Sequence, residues 1–463
     1  MKIHNTLTRQ KETLKPLKPG HISFYSCGPT VYHYYHIGNL RNAVFNDTLK
    51  RALIASGFKV DHVMNITDVG HLSSDADTGE DKLQSQAAEE GKTVWEVAQF
   101  YTDAFMKDMG RLNVINPPNY VKATDRIGAQ IKMVETLLEK GYAYKTDQAV
   151  YFDVLKLDDY GKLTGQKLSD KEVGVRDEVV VDSEKRNPQD FALWFFTVGH
   201  FKDHEMRWSS PWGEGFPGWH LECSAIIESE LGETIDIHTG GVDHIGTHHT
   251  NEIAQSEAAH GKPLANYWMH NEFLMVGGSK ISKSLKNGYR LDELIEKGYD
   301  PLALRLLFLQ SHYRTQQNFT FEALEAAQNL LKRFRAWSDW QFQDGASTLS
   351  DDVFQGFYEQ IAEQFKDDLN TPQAIATFNS LVDHCDNQNA LPTSSQVSEI
   401  EQLFGLQLDQ RTDISEEQKA VIFEREGARK AKDYEASDKA RKELADEGIT
   451  VEDTEAGPRW SRA

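Results

Sequence analysis

The sequence predicts an α/β fold, with a split parallel sheet interrupted by a connective insertion and followed by a helical C-terminal region. Three observations carry that expectation. A strand–helix–strand pattern opens the chain, a second α/β run resumes near residue 213, and from Leu291 onward the apolar spacing is mostly helical.

The elements follow in order. Residues 21–27 (HISFYSC) are short and rich in aromatic and β-branched side chains, as a buried strand is. After Gly28-Pro29, Leu40, Val44, Leu49, Leu53 and Ile54 recur near helical spacing, and Gly57 supplies a stop. Residues 59–66 (KVDHVMNI) read as a second strand, 71–92 as a polar surface excursion, and 93–111 and 128–141 as helices. A mixed region over 142–212 contains the strand-like AVYFDV. Then 219–231 reads as a helix, TIDIHTGG as a strand entering a glycine turn, 248–260 as a helix, and YWMHNEFLMVGG as a strand or irregular connection. The expected division is 1–115 and 213–290 for the two halves of the α/β domain, 116–212 for the insertion, 291–398 for a helical bundle and 399–463 for a small C-terminal domain.

A chain of 463 residues suits about three domains. Its 50 Lys+Arg against 72 Asp+Glu leave a net charge of −22, which argues against general nucleic-acid affinity but not against a local basic face. Arg425 to Lys442 holds seven basic side chains against four acidic ones, read either as a solvated mixed-charge helix or as a phosphate-binding face. Three cysteines (Cys27, Cys223, Cys385) exclude a disulfide framework and point to a reducing compartment. The N-terminal stretch lacks the apolar core of a signal peptide, and no apolar run reaches the ~18 residues that span a bilayer. The expectation is a soluble, cytoplasmic protein with no membrane association.

Cys27 ends the first expected strand, where α/β sheets place their ligands. Cys223 lies in WHLEC, and in the later HHTNE, His248 and Glu252 stand four apart on one helix face. Two thiols, an imidazole and a carboxylate make a candidate zinc set. The alternative is two core cysteines and a surface His/Glu pair. Cys385, in LVDHCDNQ, has no such neighbours and reads as core.

HIGN (His36 to Asn39) falls where the first loop enters a helix, a position suited to phosphate. KISKS (Lys280 to Ser284) follows Gly277-Gly278-Ser279, so its lysines can meet charge developing on a departing pyrophosphate. Each alone could be an ordinary turn. No GxxxxGK[ST] signature is present.

Together, in this order and about 240 residues apart, HIGN and KISKS resemble the paired signatures of class I aminoacyl-tRNA synthetases. FYSCGPTVY, NITDVG, GWHLECSAI, DIHTGGVDH, HHTNEIAQSEA, DDLNTPQAIA and GITVEDTEAGPRW are similar to segments of the cysteinyl-tRNA synthetase family, so the resemblance spans nearly the whole chain. It implies a Rossmann-like catalytic domain split by the insertion, a tRNA-contacting bundle and an anticodon-side C-terminal domain. It implies one zinc held by Cys27, Cys223, His248 and Glu252. ATP, with Mg2+, would meet His36, Gly38, Asn39, Gly240, Gly241, Asp243 and Lys283, with His36, Asn39, Lys280 and Lys283 serving adenylate formation. Thr67, Trp219 and His238 would line the cysteine pocket. The implied partners are L-cysteine, ATP and tRNA(Cys), and the expected state is a monomer. Departures are Asn39 for the family's name-giving His, Ile281 for Met, and Thr250 where many relatives carry Glu. The insertion looks too short for an editing domain. Rival readings are a ligase passing cysteine to a small-molecule amine, which lacks most of the C-terminal region, and a noncatalytic zinc-dependent RNA-binding regulator, in which HIGN or KISKS would have decayed.

Overall fold

The computed structural model describes all residues except 71, 75–77, 116–118, 166–181, 283–284, 344–346, 455–456 and 463, and leaves out the side chains of 72–74 and 78–80. The organising element is a five-stranded, wholly parallel sheet. It is built from β1 (His21–Ser26), α1 (Ile37–Ala55), β2 (Lys59–Ile66), α2 (Val94–Arg111), β3 (Asn119–Lys122), α3 (Trp219–Glu230), β4 (Ile235–Gly241), α4 (His248–His260) and β5 (Ala265–Asn271). The strand order β3-β2-β1-β4-β5 reverses between β1 and β4. In such sheets ligands bind beyond the carboxyl ends of the strands at that reversal. The central strands are covered on both faces, as parallel strands require: Ile22, Phe24, Met64, Ile66 and Ile237 pack into the main core with Leu40, Val44 and Leu49 of α1. Tyr25, Val63 and Ile235 pack on the other side with Cys223, Ile226 and Ile253.

Two elements join a sheet on the other side of an expected division, and a third runs through one. Asn119–Lys122 pairs with β2 and completes the parallel sheet, so the sheet reaches past residue 115. Gly213–Pro217 pairs antiparallel with Phe191–Phe196 and Trp208–Ser210, so the insertion's own five-stranded sheet continues past residue 212. Helix Ser394–Phe404 runs through position 398 and buries Val397, Ile400, Leu403 and Phe404 in the main core. The stretch 71–92, read as an excursion, includes helix Lys82–Glu90, whose N-cap Asp81 accepts from the Leu83 and Gln84 amides.

Beyond β5, the helices Pro301–Leu309, Phe321–Asp339, Asp351–Lys366 and Thr371–Gln388 form the bundle. Cys385 lies in its core, fully buried, as the sequence predicts. Helices α5 (Glu416–Lys430) and α6 (Tyr434–Asp446) and the hairpin Ile449–Arg462 form a small terminal unit with its own apolar cluster. Asp339, at the end of a bundle helix, accepts from Arg411 and Arg462 and ties that unit down. Among the described residues no helix is long and apolar enough to cross a membrane.

Candidate active site

A cleft of about 820 Å³ opens at the β1/β4 reversal. Cys27, His36, Gly38, Asn39, Thr67, Trp219, Gly241, Asp243, His248 and Lys280 all line it. The fold thus brings ten of the residues singled out from the sequence to one place.

On one wall, His36 caps α1. Its Nδ1 accepts from the Gly38 and Asn39 amides (3.1 and 3.3 Å), and Asn39 Oδ1 accepts from the His36 amide (3.3 Å). With Nδ1 accepting, Nε2 carries the ring hydrogen and remains as a donor. Burial lowers the His36 pKa, keeping the ring neutral. A Cβ on Gly38 would stand 2.9 Å from Ile281 Cδ1, so HIGN and KISKS are in contact, and the glycine is what admits Ile281. The Ile37 amide also donates to Tyr289 O at 2.8 Å. Lys280 Nζ stands 4.3 Å from the centre of the Phe273 ring. Lys283 and Ser284 lie outside the described residues.

On the other wall, the donor atoms of Cys27, Cys223, His248 and Glu252 lie within 4.8 Å of one another, and all four residues are buried. Cys27 follows β1, Cys223 comes from α3, and His248 and Glu252 share one face of α4. Cys223 Sγ is 3.6 Å from His248 Nε2, which is 2.9 Å from Glu252 Oε1. Burial opposes charge on Glu252, yet His238 and His248 hold its carboxyl well below the usual range. Burial likewise opposes charge on His248, but Glu252 and Cys223 raise it to about 10. Burial drives the Cys27 thiol well above its ordinary value. Cys223, also buried, is brought below it by hydrogen bonds with Cys27 and His248. Two sulfurs, one imidazole nitrogen and a carboxylate at this spacing form a donor set that fits zinc. His248 Nδ1 is 3.1 Å from His220 Nδ1, which fixes the ring with Nε2 toward the cluster.

His238 does not line the cleft. It is fully buried behind this wall, with Nε2 2.7 Å from Glu252 Oε2 and its ring stacked on Trp268. Gly240 is likewise behind the lining, where a Cβ would come within 2.6 Å of the His244 and His249 rings. Thr67 Oγ1 donates to Glu222 Oε2 and accepts from Asn65 Nδ2, both at 2.8 Å. Trp219 stacks on His248, ring centres 4.3 Å apart. Sequence reasoning missed His249, whose Nε2 lies 3.2 Å from Cys27 Sγ and which joins Cys27, His238 and Glu252 in a second compact donor group. It also missed Arg290 and Glu272 on the cleft rim. For His249 the signal was present as the doubled histidine of HHTNE; for the other two there was none.

The basic segment is less uniform than its composition suggests. Arg425 is 3% exposed and forms a bidentate pair with Asp453 (2.7 and 2.9 Å), so its charge is used inside the terminal unit. Arg429 reaches the same carboxylate at 3.1 Å but stays half exposed, and Lys430 pairs with Glu426 at 2.6 Å while remaining largely exposed.

Comparison with known proteins gives the family and the fold. Residues 13–329 match the family described as the class I (C) tRNA synthetase catalytic domain, and residues 411–460 match the cysteinyl-tRNA ligase anticodon binding domain. Cysteine–tRNA ligase 1 of Burkholderia lata is 43% identical over 99% of this chain and 96% of its own. The cysteine–tRNA ligase of Treponema denticola is 40% identical over 100% and 99%. Among solved structures, a methionyl-tRNA synthetase of Mycobacterium tuberculosis with methionyl-adenylate superposes with a TM-score of 0.58 at 13% identity, over 84% of this chain and 88% of that one, which shows a shared fold.

Proposed function

The chain belongs to the cysteine–tRNA ligase family of class I tRNA synthetases, and from that premise we propose that it activates L-cysteine with ATP and passes the cysteinyl group to the 3′ end of tRNA(Cys). The observation that carries the reading is one cleft with two walls: a buried two-thiol, imidazole and carboxylate cluster on one side, HIGN packed against KISKS on the other.

The first step is attack of the cysteine carboxylate oxygen on the α-phosphorus of ATP, with pyrophosphate leaving. It needs no protein nucleophile, only positioning and stabilisation of charge. His36 Nε2–H and the Asn39 side-chain amide donate to phosphoryl oxygens. Lys280 and Lys283 offset the charge that grows on the leaving pyrophosphate, with Mg2+ accompanying the nucleotide. Gly241 and Asp243 stand on the adenosine side, and Thr67 and Trp219 beside the amino acid. In the second step the terminal ribose hydroxyl of tRNA attacks the carbonyl of the adenylate and AMP leaves.

Cysteine and serine differ by one atom, and a pocket of ordinary side chains rejects such a near-isostere poorly. Cys27, Cys223, His248 and Glu252 would hold a zinc ion, which would supply a soft acceptor favouring a substrate thiolate over a neutral hydroxyl. The protein's part is to keep these donors dry and oriented: Trp219 covers His248, and His238 and His248 hold Glu252 ionised. The terminal unit at 411–460 favours tRNA over a small-molecule amine as acceptor.

The test is cysteine-dependent exchange of pyrophosphate into ATP, followed by charging of a tRNA pool with labelled cysteine. Exchange and charging are the expected results. Exchange without charging would move the reading to a small-molecule ligase, and absence of both would overturn it.

A further inference from the structure

Resting on that reading, we propose that Arg41 is the positioning residue that sets Lys280 against the HIGN turn. Arg41 lies in the second turn of α1 and is 3% exposed. Its guanidinium spends its hydrogen bonds on main-chain carbonyls: Nη1 donates to Glu272 O and Phe273 O (both 2.8 Å), and Nη2 to Thr315 O (2.7 Å) and His312 O (3.4 Å). A buried cation held by carbonyls is costly to maintain, and only a planar fork of five donors can reach both segments at once.

Those segments carry the lysine hairpin. Glu272 and Phe273 lead directly into strand Leu274–Val276, which pairs antiparallel with Ser279–Lys280, Met275 opposite Lys280. The same strand pairs in parallel with Gln317–Phe319, which Thr315 precedes. One guanidinium therefore anchors both roots of this three-stranded sheet to the helix that His36 caps. Phe273 completes the link, since its carbonyl is held by Arg41 while its ring faces the Lys280 ammonium at 4.3 Å. The pairing of Ile37 with Tyr289 and the packing of Ile281 on Gly38 close the far side of the loop. Misplacing a transition-state group by about 1 Å can cost about 10²-fold in rate, so this spacing is where a remote arginine acts on the chemistry.

The experiment measures cysteine-dependent pyrophosphate exchange in Arg41→Lys, Phe273→Leu and the double variant, together with zinc content, KM for cysteine and Tm. Exchange kcat should fall about 10–100-fold in Arg41→Lys, with zinc content and KM for cysteine unchanged. The double variant should lose no more than Arg41→Lys alone, because both changes act through Lys280. Losses that multiply, or a kcat within about twofold of the parent, would overturn the proposal. Should Arg41→Lys not fold, Phe273→Leu compared in the parent and in Lys280→Ala decides: a loss confined to the parent supports the link, and an equal loss in both refutes it. A parent protein without cysteine-dependent exchange would instead overturn the functional reading itself.

Discussion

The two walls of the cleft are built on opposite principles. The donor wall is dehydrated and fixed. Cys27, Cys223, His248 and Glu252 come from three elements, all are buried, and each is held by a neighbour before any ligand arrives. The phosphate wall is half fixed. His36 and Asn39 are locked into a reciprocal cap on α1, while Lys280 is exposed and held by a two-residue strand and one aromatic ring. The contrast follows from the chemistry assigned to each side. Discriminating sulfur from oxygen depends on ligand distances set to tenths of an ångström, so those side chains must not move. A leaving pyrophosphate carries charge that appears only during the reaction, so the cations facing it stay open to the cleft while being aimed in advance at where that charge develops.

The largest effect should come from breaking the fixed wall. Purified protein should contain one zinc per chain, and Cys223→Ala should lose most of it, together with cysteine-dependent exchange. Elemental analysis checks the first point and exchange assays the second. Removing one ligand leaves Glu252 and His248 as a buried charge pair facing a gap, so the loss should be near complete rather than graded. Zinc retained in full by Cys223→Ala would mean that the second donor group around His249 is the working one.

The phosphate wall should respond differently. Lys280→Ala should lower the rate of adenylate formation by about 10²–10³, the usual cost of one transition-state interaction, while zinc content and cysteine affinity stay at parent values. Single-turnover activation at saturating cysteine measures it. A rise in KM for ATP with kcat unchanged would show that Lys280 binds the ground state and would erase the distinction between the walls.

Part of the candidate site is legible from local signals, and the residue roles came with the family resemblance. His248 and Glu252 share a helix face by spacing alone, HIGN announces its own cap, and KVDHVMNI is a strand at the positions expected, Lys59–Ile66. What stayed hidden depends on partners distant in sequence. Arg41 is one more helical arginine until Thr315 and Phe273 fold over it. The contact between His238, which the resemblance implies for the cysteine pocket, and Glu252 is made only by the fold. The edge strand Asn119–Lys122 is too short to show a period, with Val121 as its one buried side chain, and is defined only by pairing with β2.

The terminal unit extends the same lesson to charge. By composition Arg425 belongs with its neighbours to a basic face, but Asp453, far along the chain, takes up its guanidinium inside the unit. Arg429 and Lys430 keep exposed charge, and their pairs with Asp453 and Glu426 are surface ion pairs worth about 0–1 kcal/mol, which a phosphate can displace. Changing both to Gln should therefore touch neither wall, leaving pyrophosphate exchange and zinc content unaltered. It should weaken tRNA binding several-fold and reduce the slope of log affinity against log salt by about one for each phosphate that is no longer neutralised. Arg425→Gln should behave otherwise, lowering the stability of the terminal unit with little direct effect on the salt slope, because its charge does not face solvent. Salt titrations of tRNA binding in the two variants separate these outcomes. An equal change in slope for both would show that Arg425 leaves Asp453 for the nucleic acid, and that this unit rearranges around its phosphate partner.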